Sequence, residues 1–470
     1  MTEHTHFAVG STTKAFTAAG VSFLVDNNEE YPHIQWDTPV HSIIPDDFVL
    51  YDDWYTTHVT IEDALSHRSG LPGHDFTWAF NTATPHEAVR KLRHLPLTEP
   101  IRSKWQYCNL MFVTMGHLIE SVTGNTLGNF LRKHIWAPLG MNETFISFAE
   151  ARAARPPVDI SRGYYTDRAG NSVDVGDYDW SQSSGAGNMV SSATDYAKWL
   201  HAMIDRAPPI SPASHEQLVR AHSITVPDVL GPGFAASAPI TYGFGWGIDS
   251  YYGEVLIDHG GAQPGYATTV FYLPRRKFGL VLFSNNMMAG GMAIRPLALS
   301  LIDDLLRVPD NERVDWVALG DRVLRMINST FTREILQLIY PTIPDPPLPP
   351  SANLSAFTGG YSHPAYPPLN ITHGDDHCPG DLLPPLSTHT KPIKLCITSL
   401  FNKGLNDYTP VEIMHVSGDF WVLGAEFDGM PTLTKVEFRL GLDGRAQSVG
   451  VLIESAMKGE LIWWDRVRDS

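Results

Sequence analysis

The stretch Phe7-Ala-Val-Gly10-Ser11-Thr-Thr-Lys14-Ala-Phe-Thr-Ala-Ala-Gly20-Val-Ser-Phe-Leu-Val25 sets the strongest limit on how this chain can fold. From Ser11 to Val25 the only charged side chain is Lys14. The run is apolar nearly all round, and a helix with no polar face must be surrounded by protein, so the rest of the chain has to be built around it. Ser11 follows a glycine at the start of the run, the place of an N-cap or first-turn residue. Ser11 and Lys14 are three apart and share one helical face. Burying a lysine costs several kcal/mol unless it is paired or loses its proton. A lysine that loses its proton near neutral pH beside a serine hydroxyl is a base next to a nucleophile. The four-residue pattern alone carries little weight, because a capping serine with a snorkelling lysine produces it too. Ser455-Ala-Met-Lys458 repeats it between the strand-like runs Val451–Glu454 and Leu461–Trp464, where it reads as a hairpin turn.

Length and charge narrow the function. The 470 residues suffice for two or three domains with a sizeable core. A net charge of -17 with no basic stripe excludes a nucleic-acid-binding surface and disfavours polyanionic or anionic-membrane partners. No run of apolar residues is long enough for a membrane span. Met1–His6 has neither a basic region nor a hydrophobic stretch, so no signal peptide is expected there and a cytoplasmic location is favoured. Cys108, Cys378 and Cys396 are too few and too scattered for a disulfide framework or zinc site. Cys378 and Cys396 could pair, but ordinary reduced thiols are expected. None of the 20 histidines stands in a helical His-Glu-x-x-His pattern, and no metal or cofactor is expected.

Further along, Val59–Ser66 reads as a short helix capped by Thr60 with Asp63 at the capping-box position, ended by His67-Arg-Ser-Gly70-Leu-Pro72. A longer helix is predicted after Trp105-Gln-Tyr107-Cys108-Asn109, with Asn109 as N-cap and Tyr107 on the loop before it. Gly185-Ala-Gly-Asn188 forms a turn ahead of a helix capped by Thr194. The glycines of Tyr242-Gly-Phe-Gly-Trp-Gly247 allow close backbone approach. Strands are expected at 254–258, 268–273 and 278–284, the last two joined by a turn at Pro274–Lys277, with His259-Gly-Gly-Ala262 ending the first. Residues 292–306 and 312–340 read as helical. Half of residues 341–352 are proline, a stiff linker that divides domain 1–340 from domain 353–470. Alternating runs in the latter suggest an all-β barrel or sandwich.

The ordered set of motifs resembles the serine β-lactamase and penicillin-binding protein superfamily. Within it the resemblance is to the class C β-lactamase-related branch of carboxypeptidases, esterases, acyltransferases and peptidases. Six segments carry it in family order: Gly10–Lys14, Leu65–Pro72, Tyr107–Asn109, Gly185–Asn188, Tyr242–Gly247 and His259–Gly261. The resemblance implies an α+β fold, an antiparallel sheet flanked by helices, followed by a lipocalin-like barrel. It implies a serine hydrolase acting on a small-molecule or peptide-like ester or amide. Ser11 would be the acylated nucleophile, Lys14 would take or shuttle its proton, and Tyr107 would activate the deacylating water. Asn109 would orient Lys14 and bond the acyl side of the substrate. Gly260 and Gly261 would let a strand lie against the substrate, and the amides of Ser11 and Ala262 would form an oxyanion hole, worth about 3 kcal/mol per donor in such enzymes. The Lys14–Tyr107 pair suits this chemistry if burial and mutual charge depress both pKa values. His259 stands where other branches carry a lysine, which favours an esterase or peptidase over a β-lactamase. The family places a helix and at least two strands before the nucleophile. With ten residues ahead of Ser11, one edge of the sheet is expected to be bare. Acyl transfer to an alcohol or amine, and a non-catalytic scaffold, are the alternative readings.

Overall fold

In the computed structural model, helix α1 (Thr13–Asp26) is buried at every residue except Phe23 and Asp26, as its apolar circumference requires. A single tight turn, Gly10–Thr12, precedes it, so Ser11 sits just before the helix. The structure describes all residues except 80–82, 168–169, 177–179, 226–239, 329–332, 345, 375–392, 399–410, 428–429 and 468–470. The chain forms two units, Met1–Asp75 with Ala83–Val317, and Ala318–Ser470 with the short segment Phe76–Thr82.

In the first unit the described residues give a six-stranded antiparallel sheet in sequential order. Its strands are β1 (Ser223–Ile224), β2 (Thr241–Tyr242), β3 (Gly247–Tyr251), β4 (Glu254–Gln263), β5 (Tyr266–Leu273) and β6 (Phe278–Ser284). All eight residues of β5 are buried. Their unbroken apolar and β-branched run suits a strand covered on both faces. The helices that carry or support the site are α2 (Ile61–Leu65), α3 (Pro85–Arg90), α4 (Asn109–Thr123), α5 (Ala193–Asp205) and α6 (Met288–Leu306). Helix α1 packs on α4, while α5 and α6 pack on β5 and β6. The turn at Pro274–Lys277 forms as predicted. Strand β6 pairs with β5 alone, so its outer edge has no strand partner among the described residues.

Three local readings near the site differ. The cap of α5 is Ser192, not Thr194. Strand β4 runs on through Gln263, so His259–Ala262 lies inside the strand. Asn109 is the first residue of α4, and no side chain caps that helix, because the Asn109 amide is engaged elsewhere.

The capping box at Thr60 and Asp63 forms as predicted. The buried Asp63 carboxylate also accepts from Arg68 Nε at 2.7 Å and from Arg102 at 2.8 Å, pinning the turn that carries His67. Asp63→Ala removes the capping box and the contacts to Arg102 and Arg68, leaving Arg68 with Glu62 alone, and is expected to cost about 3 kcal/mol. A urea denaturation midpoint unchanged from wild type would refute this.

The second unit contains an eight-stranded closed antiparallel barrel of sequential neighbours, β7 (Gly359–Ser362) through β14 (Ile462–Arg466), closed by pairing of β7 with β14. This agrees with the lipocalin-like barrel implied by the resemblance. Helix α7 (Trp316–Asn328) is followed by α8 (Arg333–Ile339). At the end of α8, Leu336 and Tyr340 form a core cluster with Met414, Val416 and Val422 of the barrel. The division between units therefore falls at Val317, earlier than the proline-rich segment, because these apolar side chains are buried against the barrel wall. Cys396 is disulfide-bonded, contrary to the expectation of reduced thiols, and Cys378 lies outside the described residues. Cys108 is buried and is not disulfide-bonded. No helix among the described residues is long and apolar enough to cross a membrane.

Candidate active site

Lys14 is fully buried, and its ammonium position is fixed by three bonds. Nζ donates to Ser11 Oγ at 3.0 Å, to Asn109 Oδ1 at 2.7 Å and to the Ala186 carbonyl at 2.7 Å. The helical spacing supplies the first partner. The other two come from the start of α4 and from the glycine-rich segment before α5. That segment runs along α1, with Thr17 Oγ1 donating to Gly185 O and Val9 N–H to Met189 O. Gly245, at φ +76°, lets the turn after β2 lie on the Lys14–Ala15 backbone, where a Cβ would come within 2.8 Å of main-chain atoms. Burial pulls Lys14 down to about 7, with Asp75 opposing the shift.

Tyr107 neighbours Ser11, and Lys14 Nζ lies 4.8 Å from the Tyr107 ring centroid. Burial raises the Tyr107 pKa, so the expectation that both pKa values are depressed holds for Lys14 and fails for Tyr107. In a dry site the phenol keeps its proton.

His259 is buried, and both of its ring nitrogens are engaged. Nδ1 donates to the Gly260 carbonyl at 2.6 Å, and Nε2 accepts from the Tyr242 hydroxyl at 3.0 Å. Burial, then the charge of Lys14, pushes His259 down to about 4, so the imidazole is neutral. Strand β4 passes so close to the backbone before Ser11 that a Cβ on Gly261 would overlap the Val9 carbonyl oxygen. This close approach brings Gly261 and Ala262 beside the Ser11 amide. Pairing between β3 and β4 stops at Asp258, and Gly260 and Ala262 are exposed, which leaves one edge of β4 open next to Ser11.

The structure thus gathers Ser11, Lys14, Tyr107, Asn109, His259, Gly260, Gly261 and Ala262 at one place. Two residues without a sequence-level role join them. His67 Nδ1 accepts from the Cys108 N–H at 3.0 Å, and its ring lies 4.3 Å from that of Tyr107, supporting the loop that holds the tyrosine. Asp75 accepts from Asn109 Nδ2 at 3.0 Å, which turns Oδ1 of the same amide toward Lys14. Only the position of His67 within a matched segment hinted at the first, and nothing local marks Asp75. Asp75 raises the Lys14 pKa, so Asp75→Asn is expected to lower it. The acid limb of the pH–rate profile then moves to lower pH, with the plateau kcat within about tenfold of wild type. An unmoved limb would count against this coupling.

Residues 1–300 match the Beta-lactamase family. The whole chain aligns with 84% of the unguisins hydrolase of Aspergillus campestris at 34% identity. A D-aminopeptidase of Cereibacter sphaeroides is 25% identical over 52% of this chain and 45% of its own length. The octameric penicillin-binding protein homologue of Pyrococcus abyssi shares the fold, with a TM-score of 0.56 at 20% identity over 98% of this chain and 89% of that one. On the extent of the family match and the full-length relative, this chain belongs to the Beta-lactamase family.

Proposed function

We propose that this protein is a serine hydrolase that cleaves an ester or amide through an acyl-enzyme on Ser11. The observation that carries the reading is a buried Lys14, with a pKa near 7, bonded directly to Ser11 Oγ. As Oγ attacks the carbonyl carbon, neutral Lys14 takes the hydroxyl proton. The oxyanion is received by the Ser11 and Ala262 amides. The bond to the leaving group then breaks, and the Tyr107 hydroxyl delivers a proton to the departing amine or alcohol while Lys14 restores it. Water reverses the sequence and frees the acid. Asn109 holds Lys14 and faces the acyl side, and the open edge of β4 receives an extended substrate. Neutral His259 offers no cation to a substrate carboxylate, which favours an uncharged ester, amide or peptide bond at that side. The full-length likeness to a protein named as a hydrolase of unguisins, and the partial one to a D-aminopeptidase, support an amide or peptide substrate.

Labelling with a fluorophosphonate probe, followed by peptide mass mapping, tests the reading. A single adduct on Ser11, together with turnover of unguisins or D-aminoacyl anilides, is the expected result. Labelling that is equal in Ser11→Ala overturns it. Running the same reactions with added alcohols or amines distinguishes hydrolysis from acyl transfer.

A further inference from the structure

Away from Ser11, three potential metal ligands from three separate segments converge at one side of α4. Asp47 lies on the loop between the short helices Val40–Ile43 and Asp53–His58, His86 in the first turn of α3, and His117 in the second half of α4. His86 Nε2 lies 2.9 Å from Asp47 Oδ1, and His117 Nε2 lies 2.9 Å from Asp47 Oδ2. The two rings are 5.1 Å apart, and all three ligand atoms fall within 4.8 Å of one another. We propose that Asp47, His86 and His117 form a binding site for a divalent transition-metal ion of the zinc type, separate from the Ser11 site and not used in its chemistry.

The donor set, two imidazoles and one carboxylate, is that of a borderline ion such as Zn²⁺ with one position left to water. Zinc bonds of about 2.0–2.2 Å in tetrahedral geometry separate ligand atoms by roughly 3.4 Å. The carboxylate–imidazole distances therefore need to open by only about 0.5 Å. Both histidines present Nε2 to the Asp47 carboxylate, each to a different oxygen. His117 is buried, and Ser121 Oγ lies 3.3 Å from its Nε2, a further oxygen beside the site. His86 has half of its side chain exposed, giving the ion a route in and a ligand free to adjust. Binding replaces the hydrogen bonds between the imidazoles and Asp47. Each ring gives up its Nε2 proton and offers the freed lone pair to the ion.

One neighbour competes for this place. Arg90, one turn beyond His86, donates from Nη1 to Asp47 Oδ1 at 2.9 Å and supplies the carboxylate with its present countercharge. Its guanidinium is about half exposed and also reaches the Asp46 carbonyl, so it can leave Asp47 without being buried unpaired. Removing Arg90 takes away a repelling cation and should tighten the site. That response is opposite to what a purely structural ion-pair cluster would show. Sequence patterns miss the site because its ligands are 39 and 31 residues apart, and neither interval matches a zinc motif.

The test titrates the full chain, stripped with a chelator, with ZnCl2 and separately with CoCl2. Binding is followed by calorimetry, melting temperature and visible absorption of cobalt. One equivalent is expected to bind saturably, raise the melting temperature and give the intense absorption of tetrahedral cobalt. His86→Asn, at an exposed position where folding is safe, should weaken that phase by more than the roughly 10–100-fold lost when an outer-shell partner is removed. Arg90→Gln should retain wild-type affinity or tighten it by about tenfold or more. The proposal is overturned by the absence of a one-equivalent phase in the wild type, by equal affinity in His86→Asn, or by loss of binding in Arg90→Gln.

Discussion

Ser11→Ala is expected to abolish turnover, lowering kcat by about 10⁴-fold or more, because no other group can form the acyl-enzyme. The fold should survive. Ser11 accepts from Lys14 but caps nothing, and the turn ahead of α1 is held by Thr12 and Thr13 bonding the carbonyls of Val9 and Gly10. The measurements are steady-state hydrolysis and a thermal melt on the same sample. Retention of more than about one hundredth of wild-type kcat, with a wild-type melt, would remove Ser11 from the nucleophile's place.

Lys14 carries the second large effect. A base must be neutral to accept the Ser11 proton, and burial brings its pKa to about 7. Activity should therefore rise with pH through about 7 and fall away below it as the ammonium form takes over. Lys14→Met should lower the plateau rate by about 10²–10⁴-fold, the range for loss of a general base, and erase this limb. Lys14→Arg keeps the charge but cannot give up a proton, so it should be as inactive as the methionine variant. An arginine variant with near wild-type activity would show that the charge, not proton transfer, is what the site needs.

These two residues were the legible part of the site. A helix brings positions three apart to one face, and the absence of other charges from Ser11 to Val25 is visible in the letters themselves. The Thr60 capping box, the turn at Pro274–Lys277 and the alternation in the barrel strands were legible for the same reason. Each is a pattern complete within a few residues. Asn109 was named for two roles, and the helix cap was the wrong one. The propensity of asparagine for an N-cap is local, whereas the pull of Lys14 and Asp75 on its amide comes from 95 and 34 positions away.

Sequence by itself determined that α1 must be enclosed, that a serine and a lysine share its first turn, and that the motifs follow one another in family order. Tertiary structure decided what those residues can do. It supplied the Ala186 carbonyl and the Asn109 amide that hold Lys14, and the desolvation that lowers the Lys14 pKa and raises that of Tyr107. It engaged both nitrogens of His259, between Tyr242 and Gly260. It also joined α8 to the barrel and gathered Asp47, His86 and His117. Periodicity is a short-range property of the backbone and can be read from spacing. Burial, and the meeting of side chains far apart in the chain, exist only once the whole core has closed around α1.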